Sequence, residues 1–252
     1  AKTIEKTREI ILDTEIGLLD WAILKYDPYS EYIFIGICEH GDSPEAELLA
    51  FNTIDYSLEY SINNLGDFND FSFNPLYPLL YLSSNSEIQL RNPLDGSVIS
   101  TYTMPCEMGV IVSAYNENSG LNKTYCLPKT SVISENNALR FNDNSTSPQT
   151  ISIAKSNITC GTYNAPSDKV YLGYTYVDQS YSSGFISFDP DIENMIDHSL
   201  SDQDIIMDMA NLKDRVFISS KDHIYCCKNG NYFPDYTFNA PNSFFFRITA
   251  TN

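Results

Sequence analysis

At 252 residues the chain is long enough to bury one full hydrophobic core. Its 33 acidic against 15 basic residues leave a formal net charge of −18, a field that repels nucleic-acid phosphates and anionic lipid and attracts basic polypeptide or cations. No apolar run approaches the ~20 residues of a membrane-spanning helix, and 18 Tyr and 14 Phe against one Trp lean the composition towards strands.

The chain opens on AKTIEKTREI, with neither an initiator Met nor an apolar signal region, so Ala1 reads as a processed or cut end and the compartment stays open, cytoplasm ahead of secretion. Four β-forming runs follow at 19–26, 32–38, 48–52 and 57–62, separated by Asp27-Pro28, a long loop at 39–47 and a polar turn. The next four, 68–73, 79–83, 87–91 and 97–103, repeat that order with Asn74-Pro75, Ser84-Asn85 and Asn92-Pro93 between them. Asp95-Gly96 supplies the positive φ of a tight hairpin, so the last two are adjacent antiparallel strands. Looser matches come at 110–115, 124–126, 138–142 and 150–153, and clearer ones at 157–163, 170–176, 185–189 and 195–200. A last set occupies 205–210, 215–219, 223–227 and a short strand near Tyr232. Across 201–212 the spacing of Ile205, Ile206, Met209 and Leu212 also fits a helix, which competes with the strand there.

Polar residues end the third run of each set at Asn52, Asn92, Asn142, Asp189 and Lys228, at intervals of 40, 50, 47 and 39. Four-stranded propeller blades recur every ~40–45 residues. The chain from 1 to 252 therefore reads as a single all-β domain, a β-propeller of five to six four-stranded blades. The β-rich segments 8–14 and 238–249 are expected to close the ring as a composite blade of both termini, leaving no free sheet edge at the junction.

Chemistry-bearing motifs are sparse. The six cysteines contain no CxxC pair and the three histidines, His40, His198 and His223, stand apart, so no zinc site is expected. Cys106 and Cys126 are either a bridge or two buried thiols, and Cys226-Cys227 alternate across a strand. Asp189, Asp191 and Glu193 mimic the start of a calcium loop, but Asn194 stands at its glycine position and Leu200 at its bidentate glutamate position, so a solvated acidic turn is expected instead of a metal. His198 beside Asp197 has no GxSxG elbow to serve. Sequons begin at Asn122, Asn144 and Asn157. Tyr171, Tyr174, Tyr176 and Tyr181 suit either stacking on sugars or cross-strand packing, and Phe244-Phe245-Phe246 before Arg247 suits a buried closing strand.

The blade FSFNPLYPLLYLSSNSEIQLRNPLDGSVIST resembles a divergent WD-repeat blade, with Arg91-Asn92 where that family ends its third strand in Trp-Asp; Phe188-Asp189 approximates the same dipeptide. No blade carries the family's Gly-His pair. Within the WD-repeat group, ILDTEIGLLDW at 11–21 and SEIQL at 86–90 are similar to the opening of the diphthine methylesterase hydrolases, whose catalytic residues find no match on this chain. The WD-repeat resemblance implies a non-enzymatic protein-interaction scaffold that presents rim loops to a protein partner, and the acidic field favours a basic segment. No cofactor is expected. The rim residues singled out are Glu39, His40 and Asp42 in the first long loop, Asn118 in the third set, and Asp178 and Tyr181 in the fourth. Two alternatives stay open: a WD-repeat ester hydrolase, in which His40 or His198 reaches a serine and a carboxylate across a rim pocket, and a secreted glycan-binding propeller with disulfides and occupied sequons.

Overall fold

The computed structural model describes residues 19–39, 46–66, 68–129, 137–153, 155, 157–176, 182–191, 194–200, 205–220, 223–228 and 236–239. These contain five antiparallel meanders of four strands each. Sheet 1 is β1 (Leu19–Asp27), β2 (Tyr32–Glu39), β3 (Ala46–Asn52) and β4 (Leu58–Ile62); sheet 2 is β5 (Phe68–Phe73), β6 (Leu80–Ser84), β7 (Glu87–Arg91) and β8 (Val98–Thr103). Sheet 3 runs β9 (Met108–Asn116), β10 (Leu121–Pro128), β11 (Asn137–Asn142) and β12 (Gln149–Ser152). Sheet 4 runs β13 (Ile158–Asn164), β14 (Lys169–Tyr176), β15 (Ser182–Phe188) and β16 (Ile196–Ser199), and sheet 5 runs β17 (Ile206–Leu212), β18 (Arg215–Ser220), β19 (His223–Lys228) and β20 (Tyr236–Asn239). All five expected blades are present in the expected strand order.

Consecutive sheets meet through their first strands, β1 against β5, β5 against β9, β9 against β13 and β13 against β17. Apolar side chains on both faces of the middle strands make this stacking favourable; every residue of β6 is buried. Phe34, Leu48, Phe71 and Leu82 join sheets 1 and 2, Tyr81, Ile111 and Phe141 join 2 and 3, Tyr125, Ile158 and Phe188 join 3 and 4, and Tyr171, Ile206 and Val216 join 4 and 5. Within each meander the connections after odd-numbered strands gather at one end and those after even-numbered strands at the other, which gives the stack an odd rim and an even rim.

Two expectations are corrected. The fourth strand of the last sheet is β20 at Tyr236–Asn239, so Phe238 belongs to that sheet; Tyr232 lies outside the described residues. The helix competing for 201–212 is absent from its described part, because β17 pairs with β18 over Ile206–Leu212. The helix-like spacing has a physical origin. The register skips between Ile206 and Asp208, so Met207 is an extra residue and Ile206 and Met209 share the face packed on sheet 4. A shift of this kind recurs in the first pair of every sheet, between Leu19 and Trp21, Phe68 and Asp70, Cys126 and Pro128, and Ile158 and Cys160. The composite closing blade falls on segments outside the described residues, apart from Phe238 and Asn239.

The β3–β4 and β7–β8 turns are copies of one another. In each an Asn side chain accepts the amide two residues on, Asn52 from Ile54 and Asn92 from Leu94, and an Asp accepts from a Ser, Asp55 from Ser57 and Asp95 from Ser97. The residue before that Ser is left-handed: Gly96 at φ 71° and Tyr56 at φ 63°. A Cβ on Gly96 would stand 2.7 Å from the Tyr60 ring, so Gly96→Ala combines strain with a clash and is expected to cost about 1–3 kcal/mol. Tyr56→Gly is expected to cost nothing, or to stabilise by a few tenths of a kcal/mol. Urea midpoints of the two variants check the pair; equal losses would contradict it.

Candidate functional site

Two of the six residues singled out in the sequence are described. Glu39 closes β2 at the even rim, paired with Leu19. His40, Asp42, Asp178 and Tyr181 lie outside the described residues. Asn118 sits in the β9–β10 turn at the odd rim, exposed, its amide donating to Asn116 Oδ1 at 3.1 Å. Of the two that are described, Glu39 and Asn118 therefore lie at opposite rims.

A feature the sequence reading missed lies on the axis between the first strands. A cavity of about 320 Å³ opens there, lined by Asn69, Gly109, Lys129, Asn157 and Thr159 among others. Asn69 and Thr159 are the extra residues at the register shifts of β5 and β13, so the bulge turns each of them inward. Lys129 Nζ donates to Asn69 Oδ1 at 2.8 Å and pairs with Glu107 at 3.1 Å, Asn69 Nδ2 donates to the Met108 carbonyl at 3.0 Å, and Thr159 Oγ1 donates to the Ile206 carbonyl at 2.8 Å. These side chains spend their polarity on neighbouring strands, which suits the cavity to holding the sheets together.

Asp70 performs the strongest such tie. Its carboxylate accepts from Lys25 Nζ of sheet 1 at 2.7 Å, from its neighbour Phe71 N at 2.8 Å and from Ile111 N of sheet 3 at 2.9 Å. Further out, Asn74 Oδ1 caps Leu76 and accepts from Asn122 Nδ2, while Asn74 Nδ2 donates to the Asp143 carbonyl, so one amide joins sheets 2 and 3. Asn164 repeats the device, capping Ser167 and donating to the Lys213 carbonyl of sheet 5.

His198 does reach a serine. Its Nε2 lies 2.8 Å from Ser187 Oγ and its ring stacks on Phe185 at 4.4 Å. Both partners are buried, and Phe185 packs in the layer between sheets 4 and 5, so this is an interior pair and not a rim pocket. Asp197, next along the strand, points to the opposite face, where it accepts from Tyr174 Oη at 2.7 Å and pairs with Lys155 at 2.8 Å. Burial, with a smaller push from Lys169 and an opposing pull from Asp197, lowers the His198 pKa below the ordinary imidazole value. The unfolded chain then binds the extra proton first, so stability is expected to be level above about pH 6.5 and to fall below it. Urea midpoints at about pH 8 and 5 check this. The part of the slope owed to His198 should vanish in His198→Gln, and an unchanged slope would contradict the assignment.

Other motifs resolve as packing or turns. Tyr171 and Tyr174 are buried between sheets. Tyr181 lies outside the described residues, and the Tyr176 side chain is not described. Asp189 Oδ1 accepts the Asp191 amide at 2.9 Å and Asp191 pairs with Lys123 at 3.2 Å, an acidic turn; Glu193 lies outside the described residues. Among the described residues no three His, Cys, Asp or Glu side chains converge as metal ligands. All six cysteines are buried, and burial pushes the Cys126 and Cys160 thiols well above their ordinary range. Two of the three sequon asparagines face inward: Asn122 on Asn74, and Asn157 on the Thr175 carbonyl.

No family model and no curated protein matches the chain. Among solved structures it is similar to Saccharomyces cerevisiae Sqt1, with 13% identity and a TM-score of 0.69 over 92% of this chain and 64% of that one. It is also similar to the Dos1 propeller, at 10% identity and a TM-score of 0.64 over 87% and 58%, and to a chain of the mitotic checkpoint complex, at 9% identity and 0.66 over 90% and 67%. The chain thus spans about 64% of the length of the Sqt1 chain it matches. At these identities the likeness is one of fold: the chain is an all-β propeller.

Proposed function

We propose that the chain is a non-enzymatic interaction module that engages a protein partner through its rims, with a basic segment of the partner meeting its acidic field. The observation that carries this is where the polar chemistry goes. The side chains of Asp70, Asn74 and Asn164 are spent on tying sheet to sheet, and connecting loops are where a rigid scaffold of this kind presents binding residues. A propeller of the same fold within the mitotic checkpoint complex supports a role in protein assemblies. The proposed contact residues are Glu39 on the even rim, Asn118 on the odd rim, and His40, Asp42, Asp178 and Tyr181.

The test is affinity capture from the native source, followed by binding of the purified partner to substituted chains. Alanine at Glu39, His40, Asp42, Asp178 and Tyr181 together is expected to weaken binding by about tenfold or more, and added salt to weaken it further. Hydrolysis of an ester substrate that disappears in His40→Ala would overturn the reading in favour of the hydrolase.

A further inference from the structure

Exposed apolar side chains are not spread evenly over the molecule. Nine of the ten exposed large hydrophobic residues among the described ones belong to sheets 1 and 2. Leu24, Tyr26 and Leu58 lie on the face of sheet 1 turned away from sheet 2, the face that also carries Ile35, Leu49 and Phe51. Ile99 lies within β8, and the other five sit on connections or strand starts of one rim: Tyr29 after β1, Ile54 after β3, Leu76 after β5, and Leu94 and Val98 around the β7–β8 turn. All five are at the odd rim, and Ile54 is 80% exposed.

The fold holds the two groups side by side. Tyr60 Oη donates to the Pro93 carbonyl at 2.7 Å, and Gly96 packs on the Tyr60 and Ile62 side chains, so the β7–β8 turn rests on β4. The turn geometry also explains the exposure. With Asn52 and Asn92 capping inward, the residue two further on is the one the turn lifts into solvent, and in both copies it is aliphatic, Ile54 and Leu94. Glu31, Asp55 and Asp95 in the same connections, and Glu59 at the start of β4, are exposed as well. The nearby cation Arg91 is turned inward, onto Gln89 and the Gly96 carbonyl at 2.7 Å. The result is an apolar patch in an acidic frame.

We infer that the odd rim of sheets 1 and 2 is a docking surface for a basic polypeptide segment carrying aliphatic side chains, its Lys or Arg residues meeting Glu31, Asp55, Glu59 and Asp95 and its aliphatic ones resting on Tyr29, Ile54 and Leu94. This rests on the interaction reading above and adds a surface to the loops named there. Charge selects the occupant: a second copy would bring another −18, and an anionic lipid surface would be repelled in the same way. An apolar contact framed by complementary charge gains both a desolvated centre and steering.

The probe is a short synthetic peptide of alternating Lys and Leu titrated into the full chain, with Glu-Leu and all-Lys peptides as controls. The Lys-Leu peptide is expected to bind best, and Ile54→Ser with Leu94→Ser to weaken it by about tenfold, consistent with losing two aliphatic contacts. The charge reversals Glu31→Lys with Glu59→Lys form a second variant, expected to weaken it further and to flatten its salt dependence. Undiminished binding by both folded variants, or no binding by the wild-type chain, overturns this surface. Loss of binding in Asp42→Ala with Asp178→Ala, with the odd-rim variants unaffected, overturns it while leaving the interaction reading in place. A dimer by sedimentation that Ile54→Ser with Leu94→Ser dissolves overturns it in favour of self-association.

Discussion

Phe34→Ala is expected to lower the stability of the chain by about 3–5 kcal/mol, the largest effect of any single truncation considered for this molecule. Phe34 is fully buried in the middle of β2, and its ring is the hub of an aromatic cluster that spans two sheets. Its centroid lies 4.7 Å from Phe73 and 6.4 Å from Phe71 in sheet 2, and 6.3 Å from Tyr32 and 6.2 Å edge-on from Tyr60 in sheet 1. Truncation removes the transfer energy of the ring and leaves a void that the four surrounding rings, fixed on β2, β4 and β5, cannot close. Phe34→Leu fills most of the space and is expected to cost about half as much. Urea denaturation measures both, with an unchanged slope showing that the denatured state is not the cause. A loss below about 1 kcal/mol for Phe34→Ala would mean that sheets 1 and 2 are not stacked through this cluster.

The sequence carried the architecture well because each sheet writes the same local chemistry: apolar runs of strand length with Asn, Asp, Pro and Gly between them. The Asp95-Gly96 hairpin was legible at once, and its copy in sheet 1 was not, because Tyr56 adopts the left-handed conformation that only Gly advertises. The extra residue in each first strand was also hidden. It shifts the apolar period from two to three at one point, which is why Ile206 and Met209 imitate a helix and why Asn69 and Thr159 gave no sign of facing the axis. Of the candidate site, the division of Asn118 from Glu39 needed the odd and even ends to be counted. The His198–Ser187 contact joins residues eleven apart across a diagonal of β15 and β16, a relation only register reveals. Adjacent Asp197 could be discounted in advance, since neighbours in a strand face opposite ways.

Asp70→Ala is the second large effect, expected at about 2–4 kcal/mol, and its pattern says more than its size. The carboxylate sits beside a register shift in β5, where the ladder leaves amides to be satisfied by side chains, and it serves sheets 1, 2 and 3 together. Removing it leaves the Ile111 amide without its acceptor. It also leaves the Lys25 ammonium over the Phe71 ring, 5.2 Å from the centroid, with the Phe71 carbonyl in place of an anion. Asp70→Asn keeps an acceptor for one amide and loses the charge, so it is expected to fall between wild type and Asp70→Ala. Hydrogen exchange locates the effect: protection at the Ile111 amide should drop in Asp70→Ala even under conditions where the rest of sheet 3 is unchanged. Combining Asp70→Ala with Lys25→Met should cost less than the two losses added, because the second substitution removes the stranded charge created by the first. Strict additivity, with Ile111 protection intact, would show that Asp70 acts within sheet 2 alone and that the first strands are held together around the axis by apolar packing.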